Sequence, residues 1–160
     1  AIKVVPSAPP TTFARQFLRE LGPVAEFLNS DEIQRESEHF SHPVAAGREL
    51  LRRLSNLESH RTGFAVETTL SSHFYARRLS EWPQLGYRTT LHFIEDPSAH
   101  YAIQRVGIRV AAGGHYVPEV DVKRRFERGI KLFRSTYKPI VHRWYHWFSD
   151  DRGLHLVEKG

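Results

Sequence analysis

The stretch RVGIRVAAGGHYVPEVDVKRRFERG, residues 105–129, joins two basic segments through a flexible connection. The connection holds the paired glycines Gly113 and Gly114 and, a few residues later, Pro118. Glycine adopts backbone angles that other residues resist, and proline suits the first turn of a helix, so the pattern predicts two helices joined by an elbow. Arginine side chains are planar and permanently charged, which suits them to phosphate oxygens. We therefore interpret residues 105–137 as a basic lid that grips phosphate.

Positive charge is concentrated in this stretch and just after it. Residues 123–138 hold one acidic residue, Glu127, and seven basic ones: Lys123, Arg124, Arg125, Arg128, Lys131, Arg134 and Lys138. A solvated helix face explains this asymmetry as well as phosphate contact does. The formal net charge of +5 and the isoelectric point near 9.7 favour anionic partners, which could be nucleotides, nucleic acid or an acidic membrane surface.

Length and composition predict a single domain over residues 1–160. The chain is 40% hydrophobic and 26% charged, as is typical of globular proteins. Its apolar runs are too short to span a bilayer, and the segment AIKVVPSAPP lacks the apolar stretch of a secretory signal, so we expect a cytoplasmic protein without a membrane partner. Because the chain has no cysteine, disulfides and thiol chemistry are excluded.

Strand and helix patterns alternate along the chain. Short apolar runs predict strands at 2–5, 24–28, 63–66 and 87–94, with a possible last strand at 154–157. Helical periodicity, proline starts and glycine stops predict helices at 12–21, 44–57, 72–85, 97–112 and 118–137. Parallel strands need crossover connections, so this alternation predicts a parallel sheet covered by helices on both faces.

The segment VHRWYHWF, residues 141–148, carries four aromatic rings among basic residues and histidines. In a domain of this size we interpret it as an aromatic closing layer at an edge of the fold. Rings interleaved with basic side chains could instead stack nucleic-acid bases. His142 and His146 are four residues apart, but no cysteine or HExxH motif accompanies them, so we do not expect zinc.

Two acidic residues follow predicted strands, at the edge where open parallel sheets bind ligands. Asp31 follows the second predicted strand and could simply stabilise the first turn of a helix. Glu67 ends the third predicted strand, where a buried unpaired charge would be costly, so it should lie at a wet crevice or pair with an arginine. The hydroxyls of Thr68 and Thr69 suit a polar acceptor such as a sugar, although threonine is also a favoured strand residue.

Arg105 and Arg109 are four residues apart on one predicted helix. Side chains at this spacing share a face, so the two guanidinium groups can converge on one anion. Solvation of the same face is an equally good explanation.

Four segments together resemble the zeta-toxin-like branch of the P-loop kinases. They are LNSDEIQRE at 28–36, AGRELLRRL at 46–54, GFAVETTLSS at 63–72 and the stretch 105–129, and the resemblance spans nearly the whole chain in order. It implies a three-layer α/β fold of the P-loop NTPase type, with a parallel sheet, helices on both faces and a helical lid. It also implies an ATP-dependent phosphotransferase acting on a small-molecule hydroxyl, with nucleotide-activated amino sugars as the best-known acceptors. An antitoxin protein is the implied partner.

The resemblance assigns roles to three groups of residues and to one metal ligand. The catalytic residues, which orient the acceptor hydroxyl or neutralise the transferring phosphate, are Asp31, Arg105 and Arg109. The acceptor-binding residues are Glu67, Thr68 and Thr69. The nucleotide-binding residues are Thr12, His115, Arg124 and Arg125. Thr11 matches the position of the hydroxyl that holds Mg²⁺ with ATP.

The segment PSAPPTT, residues 6–12, stands where the phosphate loop is expected. A working loop turns glycine N–H groups toward the phosphates and supplies a lysine, whereas this segment has neither residue type and its prolines lack N–H donors. We therefore expect a missing or degenerate phosphate loop, weak ATP binding and impaired turnover in this chain. A natural pseudoenzyme, an engineered deletion and an incomplete sequence all fit this pattern.

Two other functions stay open at this point. The chain could be a non-catalytic basic module that binds RNA or another polyanion, in which case log affinity falls linearly with log salt concentration. It could also act as an interaction protein of a toxin–antitoxin pair.

Overall fold

The computed structural model describes residues 26–36, 43–114 and 116–160. The predicted strand 2–5, the predicted helix 12–21 and the start of the strand 24–28 lie outside these residues. The strands are β1 (Glu26–Leu28), β2 (Phe64–Val66), β3 (Thr90–Glu95), β4 (Arg143–Asp150) and β5 (Gly153–Lys159). The α-helices are α1 (Ser30–Glu36), α2 (Pro43–Ser59), α3 (Phe74–Glu81), α4 (Ala99–Ala111) and α5 (Glu119–Leu132).

Helix α2 confirms the helix predicted from its leucine spacing. Leu50, Leu54 and Leu57 are buried in the main hydrophobic core, together with β2 and the aromatic side chain of Trp82. The helix predicted at 72–85 is instead α3 followed by a 3-10 turn, Trp82–Leu85, and it stops at Gly86, whose φ of 86° is left-handed.

The strands of the described residues form two small sheets. β1 pairs in parallel with β2, and the other sheet has the order β3-β4-β5. β4 runs parallel to β3, but β5 returns antiparallel to β4. The expectation of a wholly parallel sheet is therefore wrong at β5, because the connection of two residues between Asp150 and Gly153 is too short for a crossover. The architecture is mixed α/β.

The aromatic segment forms β4, and its rings are packed as predicted, but β4 is the central strand of its sheet and not an edge. Trp144 packs against the main core and meets Phe133 edge to face at 6.0 Å between ring centroids. On the other face of the strand, Tyr145 stacks on the buried His92 at 4.7 Å and 9°. The segment thus closes the sheet on both of its faces.

Helices α4 and α5 form the predicted hairpin. Ser98 Oγ accepts a hydrogen bond from the Tyr101 N–H and caps α4. At the other end Gly113, at φ 85°, closes a Schellman motif in which the Gly114 N–H bonds the Arg109 carbonyl at 2.9 Å. The two helices share a small apolar cluster of their own: Ala102, Val106 and Val122.

The carboxyl-terminal end of α5 is anchored on the body of the fold. A Cβ at the buried Gly129 would lie 3.4 Å from the Thr69 carbonyl oxygen, so glycine lets α5 lie directly on the segment after β2. Leu132 is buried in the main core. Beyond it the helix continues as a π-helical turn, Phe133–Tyr137, and a 3-10 turn, Lys138–Ile140. No helix in the described ranges is both long and apolar enough to cross a membrane.

A polar contact ties α2 to α3 beside the core. Glu58 accepts hydrogen bonds at 2.6 Å from Arg78 Nη1 and from Trp82 Nε1, and its side chain is 17% exposed. A second pair on α3, Arg77 Nε with Glu81 Oε1 at 2.7 Å, is far more exposed, because its side chains are 86% and 49% accessible to solvent. The two pairs therefore offer a matched comparison between neighbouring arginines of α3, one with a half-buried acidic partner and one with an exposed partner.

We expect Glu58→Gln to lower the free energy of unfolding by about 1–3 kcal/mol, because charge-assisted hydrogen bonds to a half-buried arginine and an indole are weakened. Glu81→Gln should have no measurable effect, because its partner is solvated. Urea denaturation of the three proteins measures the difference. Equal stability losses in the two variants would contradict the structural role given to Glu58.

Candidate functional site

A cavity of about 930 Å³ opens between α1, α2, the segment after β2 and the α4–α5 hairpin. Charged side chains line much of it. The carboxylates are Asp31, Glu67 and Asp121, and the arginines are Arg48, Arg109, Arg124, Arg125 and Arg128. Asn29 and Glu67, which directly follow β1 and β2, line the cavity, as expected for a ligand site on parallel strands.

Asp31 lies in the first turn of α1 and lines the cavity. Its Oδ2 lies 3.3 Å from Arg109 Nη1, which joins residues from α1 and α4 across the cavity. The two side chains are 43% and 35% exposed, respectively, so both can be reached by a ligand. Asp31 therefore occupies a favourable helix-start position and a ligand-accessible position at once.

Glu67 follows β2 directly, and its backbone N–H donates to the Leu28 carbonyl at 2.9 Å. Its Oε2 accepts a hydrogen bond from Asn29 Nδ2 at 3.0 Å. Asn29 was not singled out by the sequence reasoning. A polar Asx residue between a strand and a helix is the signal that could have found it, since this is the position of a helix N-cap.

Thr68 and Thr69 line the cavity beside Glu67. Thr69 Oγ1 lies 2.9 Å from Ser71 Oγ, so neighbouring hydroxyls face the cavity together. Leu70, which lies between Thr69 and Ser71 in the sequence, has a left-handed φ of 53° and is 1% exposed. This backbone costs about 1–3 kcal/mol for a residue other than glycine. The left-handed turn sends one leucine into the core and leaves the flanking hydroxyls at the cavity.

The arginines of the lid take different places. Arg109, Arg124 and Arg125 line the same cavity as Glu67, and Arg124 Nη2 lies 2.7 Å from Asp121 Oδ1. Arg105 is not among the lining residues.

The expected convergence of Arg105 with Arg109 on one anion is therefore not what the structure shows. Arg105 Nη1 lies 3.0 Å from both Asp96 Oδ1 and Ser149 Oγ. The Asp96 carboxylate is fully buried after β3, where a counter-charge is needed to offset its desolvation. The catalytic role predicted for Arg105 has no geometric support in this cavity.

Gly114 leaves the space that the side chain of Arg109 occupies. A Cβ at this position would lie 2.7 Å from Arg109 Cγ and 2.8 Å from the Arg109 carbonyl oxygen. Only Gly113 of the pair has a left-handed φ, so the second glycine is required for close approach and not for backbone freedom. The elbow thus packs on the stem of the side chain whose guanidinium reaches Asp31.

Arg53 of α2 holds the helix that carries Asp31. Its guanidinium pairs with Glu36 at the end of α1, with Glu49 at 2.8 Å and with Glu26 of β1 at 3.7 Å. Hydrogen bonds from Arg52 and then Arg53 lower the pKa of Glu49 to about 2. This carboxylate therefore stays charged over the whole physiological range and keeps the network intact. The clamp fixes α1 against β1 and α2.

Three residues with predicted roles lie outside the described residues. They are Thr11, Thr12 and His115. Their predicted contacts with Mg²⁺ and nucleotide stay predictions.

Comparison with solved structures identifies the fold. A chain from the PezAT chromosomal toxin–antitoxin system of Streptococcus pneumoniae matches 99% of this chain and 70% of its own length, with a TM-score of 0.67 and 15% identity. The two chains share a fold. A chain of the Pnkp1/Rnl/Hen1 RNA repair complex matches 83% of this chain and 45% of its own, with a TM-score of 0.52 and 17% identity.

Sequence comparison finds a weaker relation. No protein-family profile matches the chain. An uncharacterized protein of Haemophilus influenzae is 28% identical over 83 residues, which are 52% of this chain and 59% of that protein. The chain thus spans little more than half the length of this relative.

Replacing Gly114 should disturb Arg109, whereas replacing Gly107 should not. A Cβ at Gly107, within α4, meets nothing within 4 Å. We expect Gly114→Ala to cost about 1–3 kcal/mol by overpacking and to shift the side-chain NMR signals of Arg109. Gly107→Ala should stabilise by about 0.5–1 kcal/mol, because alanine is the better helix former. Unchanged Arg109 signals in Gly114→Ala would show that the close approach does not position this side chain.

Proposed function

We propose that the cavity is the acceptor and phosphoryl-transfer site of an ATP-dependent kinase of the zeta-toxin type, acting on a small-molecule hydroxyl. The observation that carries the proposal is the placement of Arg109 within 3.3 Å of Asp31 in a cavity that Glu67 also lines. Phosphoryl transfer depends mainly on positioning and on neutralising charge, and these side chains supply both. Nucleotide-activated sugars are the acceptor class that we favour.

In this proposal Asp31 acts on the acceptor hydroxyl. Its carboxylate accepts the hydroxyl proton as the oxygen bonds to phosphorus and the bond from phosphorus to the leaving nucleoside diphosphate breaks. Arg109 exchanges its contact with Asp31 for the phosphoryl oxygens, because its planar guanidinium suits them. Glu67, Thr68 and Thr69 accept and donate hydrogen bonds to the acceptor's other hydroxyls.

The described residues fit the charge of a nucleotide better than its shape. Arg124 and Arg125 supply cations at the cavity wall. The backbone N–H groups that bind the nucleotide phosphates would have to come from the segment 6–12. The sequence of this segment offers no glycine or lysine. Mg²⁺ would be held through Thr11 and would neutralise phosphate charge, with Thr12 and His115 near the nucleotide. We therefore propose that the acceptor-binding half of the site is well formed, whereas its nucleotide-binding half binds ATP weakly.

Calorimetry separates the two halves. We expect no micromolar binding of ATP with magnesium, because several charge-assisted hydrogen bonds to phosphate are missing. UDP-N-acetylglucosamine, a nucleotide-activated amino sugar, should bind, and Glu67→Gln should weaken its binding. Micromolar ATP affinity would show that the glycine-lysine loop is dispensable, and an acceptor affinity that is indifferent to Glu67→Gln would remove the proposed acceptor site.

Turnover should depend on Asp31 once a phosphate loop is supplied. In a variant carrying a GxxxxGK[ST] loop before residue 12, Asp31→Asn should lower kcat by about 10²- to 10⁴-fold, the usual contribution of a general base. Glu32→Gln is the matched control, because it also removes a carboxylate from the first turn of α1 but its side chain does not line the cavity. Equal turnover in the Asp31→Asn and Glu32→Gln variants would reject Asp31 as the base or orienting group.

A polyanion-binding module is the second candidate. Lys123, Lys131 and Arg134 are exposed on or just after α5 and do not line the cavity, so they offer an outer basic surface. One structural neighbour comes from an RNA repair complex. Binding of single-stranded RNA whose log affinity falls linearly with log salt, and which Lys123→Ala weakens more than Glu67→Gln does, would favour this function.

A protein partner is the third candidate, because another structural neighbour comes from a toxin–antitoxin system. We propose that such a partner would cover the cavity from the side of the α4–α5 hairpin. The complex would form in the cytoplasm, where ATP-dependent enzymes work. Competition between the partner and the nucleotide-activated sugar would support this arrangement.

A further inference from the structure

We infer that Asn29 is a positioning residue that sets the spacing of the Asp31 and Glu67 carboxylates, an inference that rests on the proposed function. Its side-chain amide contacts both acidic residues. Nδ2 donates to Glu67 Oε2 at 3.0 Å, and Oδ1 accepts from the Asp31 N–H at 2.8 Å. A single rigid amide group therefore links the residue that acts on the hydroxyl to the residue that binds the acceptor.

The backbone around Asn29 makes this link stiff. Leu28 and Val66 are the last paired residues of β1 and β2, so Asn29 and Glu67 leave the strands side by side. The Glu67 N–H bonds the Leu28 carbonyl at 2.9 Å, and the Ile33 N–H bonds the Asn29 carbonyl at 3.0 Å. Asn29 is 8% exposed. A shift of its side chain consequently moves the start of α1 and the Glu67 carboxylate relative to each other.

Helix capping alone does not explain asparagine at this position. Asp, Ser and Asn cap helices about equally well, because each supplies an acceptor oxygen for the first N–H groups. Of these three, only asparagine also offers an N–H donor long enough to reach a neighbouring carboxylate. An aspartate here would place a like charge beside Glu67. The amide of asparagine avoids this, because its Nδ2 donates to Glu67 while its Oδ1 accepts from the first turn of α1.

Two substitutions separate positioning from capping. Asn29→Asp and Asn29→Ser both keep a cap oxygen, so the N-cap of α1 should survive in both. Asn29→Ser should stay close to wild-type stability, whereas Asn29→Asp should lose stability near neutral pH because its carboxylate lies beside that of Glu67. Both lose the donor to Glu67, and binding of UDP-N-acetylglucosamine should weaken by about 10- to 100-fold. With the phosphate loop supplied, both should mainly raise KM for the acceptor, whereas Asp31→Asn mainly lowers kcat.

An NMR titration of the carboxyl carbons gives a readout that does not depend on activity. In Asn29→Asp, the carboxylates at positions 29 and 67 should take up a proton at a higher pH than an isolated glutamate does, because like charges in contact cannot both stay ionised cheaply. Asn29→Ser should lack this extra titration. Ser98→Asp is the matched control. Ser98 is the N-cap of α4, and its side chain accepts a hydrogen bond from the Tyr101 N–H, so the change places a carboxylate at the N-cap of a different helix.

The outcomes distinguish the inference from the proposed function. Wild-type titration of Glu67 in Asn29→Asp, or wild-type acceptor affinity in both Asn29 variants, would overturn the positioning role. If the wild type itself binds no nucleotide-activated sugar, the proposed function fails, and the titration still decides whether Asn29 governs Glu67. Ser98→Asp should leave acceptor binding and the Glu67 titration unchanged.

Discussion

The ion pair between Arg109 and Asp31 joins the α4–α5 hairpin to the first turn of α1 across the cavity, and the proposed chemistry depends on it. Both side chains are about two-fifths exposed, so the pair contributes about 1 kcal/mol or less to stability. The hairpin is instead held by its own apolar cluster and by the burial of Gly129 and Leu132. Because little stability is lost when the pair breaks, the exchange of Asp31 for a phosphate that the proposed reaction requires of Arg109 costs little.

The cavity walls combine rigid supports with one weak contact. Arg53 clamps α1 to α2 and β1, and Asn29 joins the ends of β1 and β2. Gly114, which has no Cβ, leaves room for the aliphatic part of Arg109 to pass beside the elbow. The acids are therefore placed by stiff elements, while the guanidinium that faces them is held only by an exposed ion pair. This division suits a site that must bind an anion and then release it.

Periodicity and strand order were sufficient to predict α2, the α4–α5 hairpin and the place of Asp31 and Glu67 beside one cavity. These features follow from burial patterns and from where parallel strands end. The partner of Arg105 was not predictable, because helical spacing gives a shared face but not the buried carboxylate of Asp96 that lies nearer. Asn29 was missed for a similar reason, since the direction of an amide hydrogen bond depends on the pairing of β1 with β2.

The charge of the cavity gives any ligand an orientation. Five arginines and three carboxylates line it, so an anionic ligand is favoured over a neutral one. Two arginines already face carboxylates, Arg109 at Asp31 and Arg124 at Asp121, while Arg125 and Arg128 stand with them on the α4–α5 hairpin. A ligand that carries both phosphate and hydroxyl groups would therefore place its phosphates toward α5. Its hydroxyls would then lie toward the ends of β1 and β2, within reach of the proposed base.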